Sequence, residues 1–298
     1  MLDQDEWRPL RDAHERRVDA LTEPYLRRRE RGVRHPVEDF LFEYYSHRPA
    51  RLRRWHPGAG TVLLGPEAAE RAGWRWHRTV PATGRGGAEA TGVTLDVPAF
   101  LADRGRTVEF VAELLTATAG RTGHFGCFGL HEWAMVYRLP PEEVRHAALP
   151  LRLGAAGTDA VVEAHQIRCS HFDAYRFFTP PARPRNQLRP ERSRQAELEQ
   201  PGCLHANMDL YKWAYKLEPA VPGDLVADCF ELARDVRVLD MRASPYDLSG
   251  YGHPPVRIET PEGKAEYVAA QRGFAQRARP LRERLLAVCR RLLATAGR

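Results

Sequence analysis

Apolar and polar positions recur with the period of a helix over most of this chain. Trp7, Leu10, His14, Val18, Leu21 and Tyr25 are spaced by threes and fours, which predicts an amphipathic helix over 5–30, its other face rich in Arg and Glu. Pro24 would kink or end it. A second helix is expected from Pro36, carrying VEDFLFEYYSHR and stopping before Pro49. Its aromatic residues lie on more than one face, so it should be largely buried. Between 61 and 95, two β-like pieces, TVLLG and WRWHRTV, are followed by a glycine-rich stretch, TGRGGAEATG. Residues 107–119 read as a helix closed by Gly120, and a glycine-punctuated loop then leads into a short helix ending at Pro140.

Further on, LPLRLG at 149–154 reads as a strand and TDAVVEAH as a helix capped by Thr158. IRCSHFDAYRFF at 167–178 reads as an aromatic strand. A proline- and arginine-rich loop covers 179–195, and three helical segments follow. The expected fold is α+β, predominantly helical, with a small sheet that includes strands near 149–154 and 167–178. It would be one enzyme domain over 1–298, divisible into helical 1–60, α/β 61–195 and helical 196–298. No internal repeat is visible.

Composition changes this picture in three places. No apolar run has the roughly 18 residues of a membrane span, and the charged N-terminal stretch lacks a signal peptide's apolar core. Five widely spaced cysteines, with no CxxC, fit a reducing compartment, hence a cytoplasmic protein. The net charge of +6 invites a nucleic-acid partner. Lysine, however, occurs only at 212, 216 and 264, so 42 of the 45 basic residues are arginine. That skew, with scarce Asn and Ile, is what a GC-rich genome writes, and it weakens the inference from charge.

Four segments carry a resemblance: HPVEDFLFEYYSHRPARLRRWHPG, FGCFGLHEWAMVY, IRCSHFDAYRFFTPPARPRN and LHANMDLYKWAYKLEP with DMRASPYDL. Together they resemble a group of actinobacterial proteins labelled 3-methyladenine DNA glycosylase, over most of the chain. The resemblance implies excision of alkylated purines from DNA, without assigning roles to residues. The helix-hairpin-helix turn with its following Asp is missing, and so is a Gln-x-Gln or His-x-Gln pair, so the implied fold is neither of those glycosylase types.

Loss of a damaged purine passes through a cation-like sugar. It calls for a carboxylate to steady that charge or activate water, and for aromatic rings that hold a flipped, cationic base. Candidates cluster between His124 and Asp247. In His131-Glu132-Trp133 with Tyr137, Glu132 could be an acid or base and Trp133 a stacking wall, or the helix could simply be core. His171 and Asp173, two apart on the expected strand, would share a face and suit acid/base work. His205 and Asp209 stand four apart near a helix start, with Lys212, Trp213 and Lys216 continuing that surface. His35 and Glu38 read more simply as helix capping. Asp240, Arg242, Tyr246 and Asp247 could bind an anion or pair with each other.

The expected catalytic set is therefore Glu132, His171, Asp173, His205 and Asp209. Rings for a base would be Tyr44, Tyr45, Trp133, Tyr137, Tyr211 and Trp213, with His131 beside them. Phosphates would meet Arg48, Arg51, Arg183, Arg185, Arg189, Arg192, Lys212 and Arg242. No cofactor is required. The rival expectation is a small-molecule oxygenase or hydrolase without DNA, acting by acid/base chemistry or through Fe, Mn or Zn held by His131, Glu132, His171 and His205. No HExxH is present, and the only ExxH runs from Glu143 to His146. A non-catalytic DNA-binding protein is a third reading. Walker, G-x-G-x-x-G and G-x-S-x-G motifs are absent, which argues against nucleotide-dependent and α/β-hydrolase enzymes.

Overall fold

A computed structural model describes residues 1–84, 87–143 and 148–296. His146, and with it the ExxH pair, lies outside the described residues, as does part of the glycine-rich stretch. Among the described residues helices dominate and the sheet is a single pair of antiparallel strands.

The first helix, α1, spans Gln4–Glu30. It starts at a capping box in which the Glu6 carboxylate accepts the Asp3 N–H at 2.8 Å. Pro24 does not end it, because Trp7, His14, Val18 and Thr22 bury one face and hold the helix through the proline. The next helix, α2, is only Phe40–Tyr44. His35 occupies the turn before it, its Nδ1 accepting the N–H of Val37 and Glu38 at 3.3 and 3.1 Å. Ser46, at a φ of 54°, breaks the helix ahead of Pro49. Single turns follow at Pro49–Leu52 (α3) and Pro66–Ala69 (α4).

The hairpin joins β1, His77–Thr83, to β2, Glu89–Leu95, in register from His77 opposite Leu95 to Thr83 opposite Glu89. Helix α5, Val97–Ala119, starts ten residues before the expected helix because Asp96 caps it, accepting the Ala99 N–H at 3.1 Å. Helix α6, Leu130–Ala134, opens on Gly129 at a φ of 69°. A Cβ there would sit 3.4 Å from Ala243 and Tyr267, so glycine suits both the turn and the close approach.

The strands expected at 149–154 and 167–178 are not formed. Leu151 makes one isolated bridge to Tyr246, and Ile167 one to Asn186. Both segments have strand-like composition but meet loops rather than a strand edge, so no ladder propagates. Instead α7 runs from Gly154 to Ala164 and α8 from Phe172 to Tyr175. Thr158 is not the cap of α7; its hydroxyl donates to the Gly154 carbonyl within the helix. The arginine-rich loop contains two single turns and leads into α9, Gln195–Leu198.

Three long helices close the chain: α10 (Leu204–Lys216), α11 (Gly223–Arg242) and α12 (Pro261–Ala296). α10 packs on α11, and α12 lies along α5, α10 and α11. One apolar cluster runs from Val18 to Leu292 and draws on all three stretches of the chain. Among the described residues no helix is long and apolar enough to cross a membrane.

Candidate active site

A cavity of about 660 Å³ opens beside α2, α6 and α8. Phe40, Tyr44, Phe177 and Tyr246 form its aromatic walls, and Glu132, Asp173 and His205 bring chemistry to it. Arg34 and Arg176 also line it. Of the expected catalytic, ring and phosphate residues, Tyr44, Glu132, Asp173 and His205 line this space, and so do His35 and Tyr246.

Behind the cavity runs a row of buried charged groups. Arg237 donates from one Nη1 to Glu132 Oε1 and Asp240 Oδ2, both at 3.1 Å. Asp240 Oδ1 lies 2.8 Å from His131 Nε2. The His131 ring meets His205 edge-on at 4.6 Å, and His205 lies 5.3 Å from His171. His171, 1% exposed, sits with Nε2 at 3.2 Å from Glu199 Oε1 and 3.3 Å from Asp209 Oδ2. Lys212 then bridges Asp209 Oδ2 at 2.6 Å and Asp173 Oδ2 at 3.0 Å, while the Tyr45 hydroxyl donates to Asp209 Oδ1 at 2.8 Å.

This row sets the protonation of the groups that face the cavity. Burial and the neighbouring Asp240 raise the Glu132 pKa against the pull of Arg237. Burial would raise Asp240 too, but His131 and Arg237 overcome it and hold Asp240 ionised. The two carboxyls therefore diverge, and Glu132 is the one that keeps its proton longer. Asp173 goes the other way: burial works against ionisation, but Lys212 outweighs it and lowers the pKa. His205 is pushed down to about 3 by burial and by His131, so it is an uncharged imidazole near neutrality. For His171 the carboxylates of Glu199 and Asp209 outweigh burial and raise the pKa to about 9.

Several expected roles are overturned. His171 and Asp173 do not share a face, because no strand forms; His171 precedes α8 and turns toward Glu199, while Asp173 reaches Lys212 and the cavity. Asp209 is buried beneath the cavity, held by Tyr45 and Lys212. Trp133, fully buried, donates its indole N–H to the Ala243 carbonyl at 2.8 Å and is core. Tyr137, Tyr211 and Trp213 are core as well, and Tyr45 is a buried hydrogen-bond donor. None of these five can stack on a ligand. Tyr211 packs on Phe230 of α11, Trp213 meets Phe110 of α5, and the Tyr137 hydroxyl donates to Glu163 of α7.

The phosphate set also divides. Lys212 is enclosed between carboxylates, and Arg242 is engaged by Pro254 and Glu266. Arg185 lies over Tyr137. Arg48, Arg51, Arg183, Arg189 and Arg192 are exposed. Arg192 lies across the Phe172 ring, 3.9 Å from Asp173, at the edge of the cavity. His124 and Asp247 stand outside the cavity lining.

Sequence reasoning missed Glu199, Arg237 and the role of Asp240. Arg237 and Asp240 had a visible signal, an acid–base pair three apart inside an otherwise apolar helical face. Glu199, in a polar loop, had none. Comparison with known families, curated proteins and solved structures finds no match.

Two buried sets of possible metal ligands exist: His131, His205 and Asp240, and His171, Glu199 and Asp209. The four ligands expected from sequence do not form one set among the described residues. Each buried set already contains a cation at its carboxylate, Arg237 on Asp240 and Lys212 on Asp209. In each set one carboxylate oxygen is shared with that cation, which partly cancels the negative charge that would attract a divalent ion.

Proposed function

We propose that this chain is a hydrolase of N-glycosidic bonds, a DNA-repair glycosylase that excises an alkylated purine. The observation that carries this reading is one cavity onto which two carboxyls open, Glu132 with its pKa raised and Asp173 with its pKa lowered. Paired carboxyls with pKa values driven apart are the acid/base signature of glycosidic hydrolysis. Phe40, Tyr44, Phe177 and Tyr246 offer ring faces to a cationic base.

In this reading the bond between the sugar C1′ and the purine nitrogen breaks with its electron pair leaving on the base. Glu132 donates a hydrogen bond or proton to the departing purine. Asp173 faces the positive charge that grows on the sugar. Water adds its oxygen to C1′, and the Asp173 carboxylate takes the proton it sheds and passes it to solvent. Arg34, Arg176 and Arg192 flank the opening and are the nearest cations for strand phosphates. No metal is invoked, in keeping with the cations already on both buried ligand sets. A cytoplasmic location belongs to the same reading; its support is five unpaired thiols, four of them buried.

The test is release of 3-methyladenine from alkylated duplex DNA at low salt. Wild type should release base, and Glu132→Gln and Asp173→Asn should not. Equal release by all three, or none by wild type, refutes the proposal. A second reading, a small-molecule acid/base enzyme with no DNA role, is favoured by the engagement of Lys212, Arg185 and Arg242 with groups of the protein itself. Hydrolysis of a free alkylated nucleoside with no action on DNA would select it.

A further inference from the structure

On the other side of the Tyr44–His47 segment lies a second cavity, about 460 Å³, quite unlike the first. Its lining includes Arg51, Arg54, Arg104 and Lys216 together with Trp74 and Trp76. Among the described residues these four cations make no ion pair. Arg54 lies over Trp74 at 5.0 Å and Arg104 over Trp76 at 5.6 Å. The one carboxylate of the lining, Glu218, is held by His47 at 3.2 Å. A fifth cation, Arg75, is paired with Asp103.

Four further observations mark this as a built recess rather than a stretch of solvated surface. His56, 6% exposed, lines it with a buried Nδ1 that finds no hydrogen-bond partner among the described residues. Behind Trp74, at 4.8 Å, lies the buried guanidinium of Arg71, which has no ion pair among the described residues. Burial first, then the charge of the nearby Lys212, lowers the Lys216 pKa, so the ammonium is partly withdrawn from solvent at the rim of the recess. Two lining residues, Ser46 and Trp76, hold left-handed backbone at φ of 54° and 60°. Trp76 is fixed there by an indole N–H···Asp103 bond of 2.7 Å and an edge contact with Phe100.

We propose that this second cavity binds a phosphorylated nucleoside unit, the phosphate drawing Arg54 and Arg104 off the Trp74 and Trp76 rings toward Arg51 and Lys216, and the base taking their place against the indoles, whose other neighbours are Arg71 and Arg75. Unpaired guanidinium groups bind phosphate through charge-assisted hydrogen bonds. Indole faces accept any base because every base has a π-face. The volume lies within the range of about 300–1,000 Å³ usual for ligand pockets and far exceeds what a bare phosphate needs. The unit could be a free nucleotide or part of a single strand, and both present the same chemistry. The site is separate from the hydrolytic cavity and does not depend on what that cavity does.

The experiment titrates the full-length protein with 2′-deoxyadenosine 5′-monophosphate, with deoxyadenosine and with a ten-residue single-stranded DNA, reading tryptophan fluorescence and anisotropy. The monophosphate should bind roughly tenfold or more tighter than the unphosphorylated nucleoside. The double variant Arg54→Ala/Arg104→Ala should weaken binding by at least roughly tenfold, and for the single strand should lower the salt slope by about 1.4, two contacts' worth. Its circular dichroism and melting should match wild type, and Lys216→Met alone should weaken binding in the same direction. Glu132→Gln should bind as wild type, which separates this site from the hydrolytic reading. Equal affinity for monophosphate and nucleoside, equal affinity of wild type and variants, or no binding of any ligand at about 50 mM salt would each overturn the proposal. A strand that binds more tightly and with a steeper salt slope than the monophosphate supports it and identifies the source as nucleic acid; equal affinity supports it and identifies a free nucleotide.

Discussion

The two cavities share one wall segment, Tyr44 to His47, yet they treat charge in opposite ways. Behind the Phe40–Tyr44 cavity, the charges interlock, with Arg237 between Glu132 and Asp240 and Lys212 between Asp209 and Asp173. In the Trp74–Trp76 cavity four cations form no ion pair among the described residues. Buried pairing fixes protonation states and geometry, which chemistry requires. Unpaired charge at an accessible recess keeps its attraction for something outside the protein, which binding requires.

The largest effect that could break this contrast lies in catalysis. Glu132→Gln keeps the shape and the Arg237 contact but removes the acid, and should lower base release by about 10²–10⁴-fold. Arg54→Ala should leave the release of base from a free nucleoside near wild type. If both variants lose activity equally, the division of labour is wrong.

Next is stability. Lys212→Met removes the cation shared by Asp209 and Asp173, leaving only His171 on the first and Arg176 and Arg192 on the second, and should cost about 3 kcal/mol in urea denaturation. Arg54→Ala, at an exposed position with no ion pair, should stay within about 0.5 kcal/mol. Comparable losses would mean that the second cavity is structural.

The histidines sharpen the contrast through pH. His171 has a folded pKa raised to about 9 against 6.5, so its stabilisation is complete below 6.5 and is lost as pH rises through 9. His56 is lowered to about 3 by burial and by Arg71, so its contribution is complete above 6.5 and is lost as pH falls toward 3. His171→Asn should flatten the alkaline limb of a stability–pH curve, and His56→Asn the acid limb. A swap of limbs, or no change in either, would count against the pairing pattern described here. The smallest effect is the loss of one hydroxyl: Tyr44→Phe keeps the half-buried ring and gives up only the contact with Arg176, so stability in urea denaturation should shift by no more than about 0.5 kcal/mol.

Helical periodicity made the long elements legible. The N-terminal helix and the three C-terminal ones lie close to where spacing of apolar residues put them, because a helix satisfies its own backbone and needs only a partner for its apolar face. The strands failed for the complementary reason. LPLRLG and IRCSHFDAYRFF have the composition of strands, but a strand exists only if another edge meets it, and composition carries no information about that edge. Chemistry was legible to the same degree. Glu132, Asp173, His205 and Tyr44 were visible as residue types in promising settings, and they do meet at one cavity. Trp133, Tyr137, Tyr211 and Trp213 looked equally promising and are core.

By itself, then, the sequence determined that this is a helical protein with a carboxylate- and histidine-rich middle. Only tertiary structure decided which of those groups share a space and which hold a proton. Protonation here depends on burial and on charges brought from far along the chain: Asp240 beside His131 and Glu132, Glu199 and Asp209 beside His171, Lys212 beside Asp173. A local motif cannot encode such distances, because the field at one carboxyl is set by neighbours that only folding delivers.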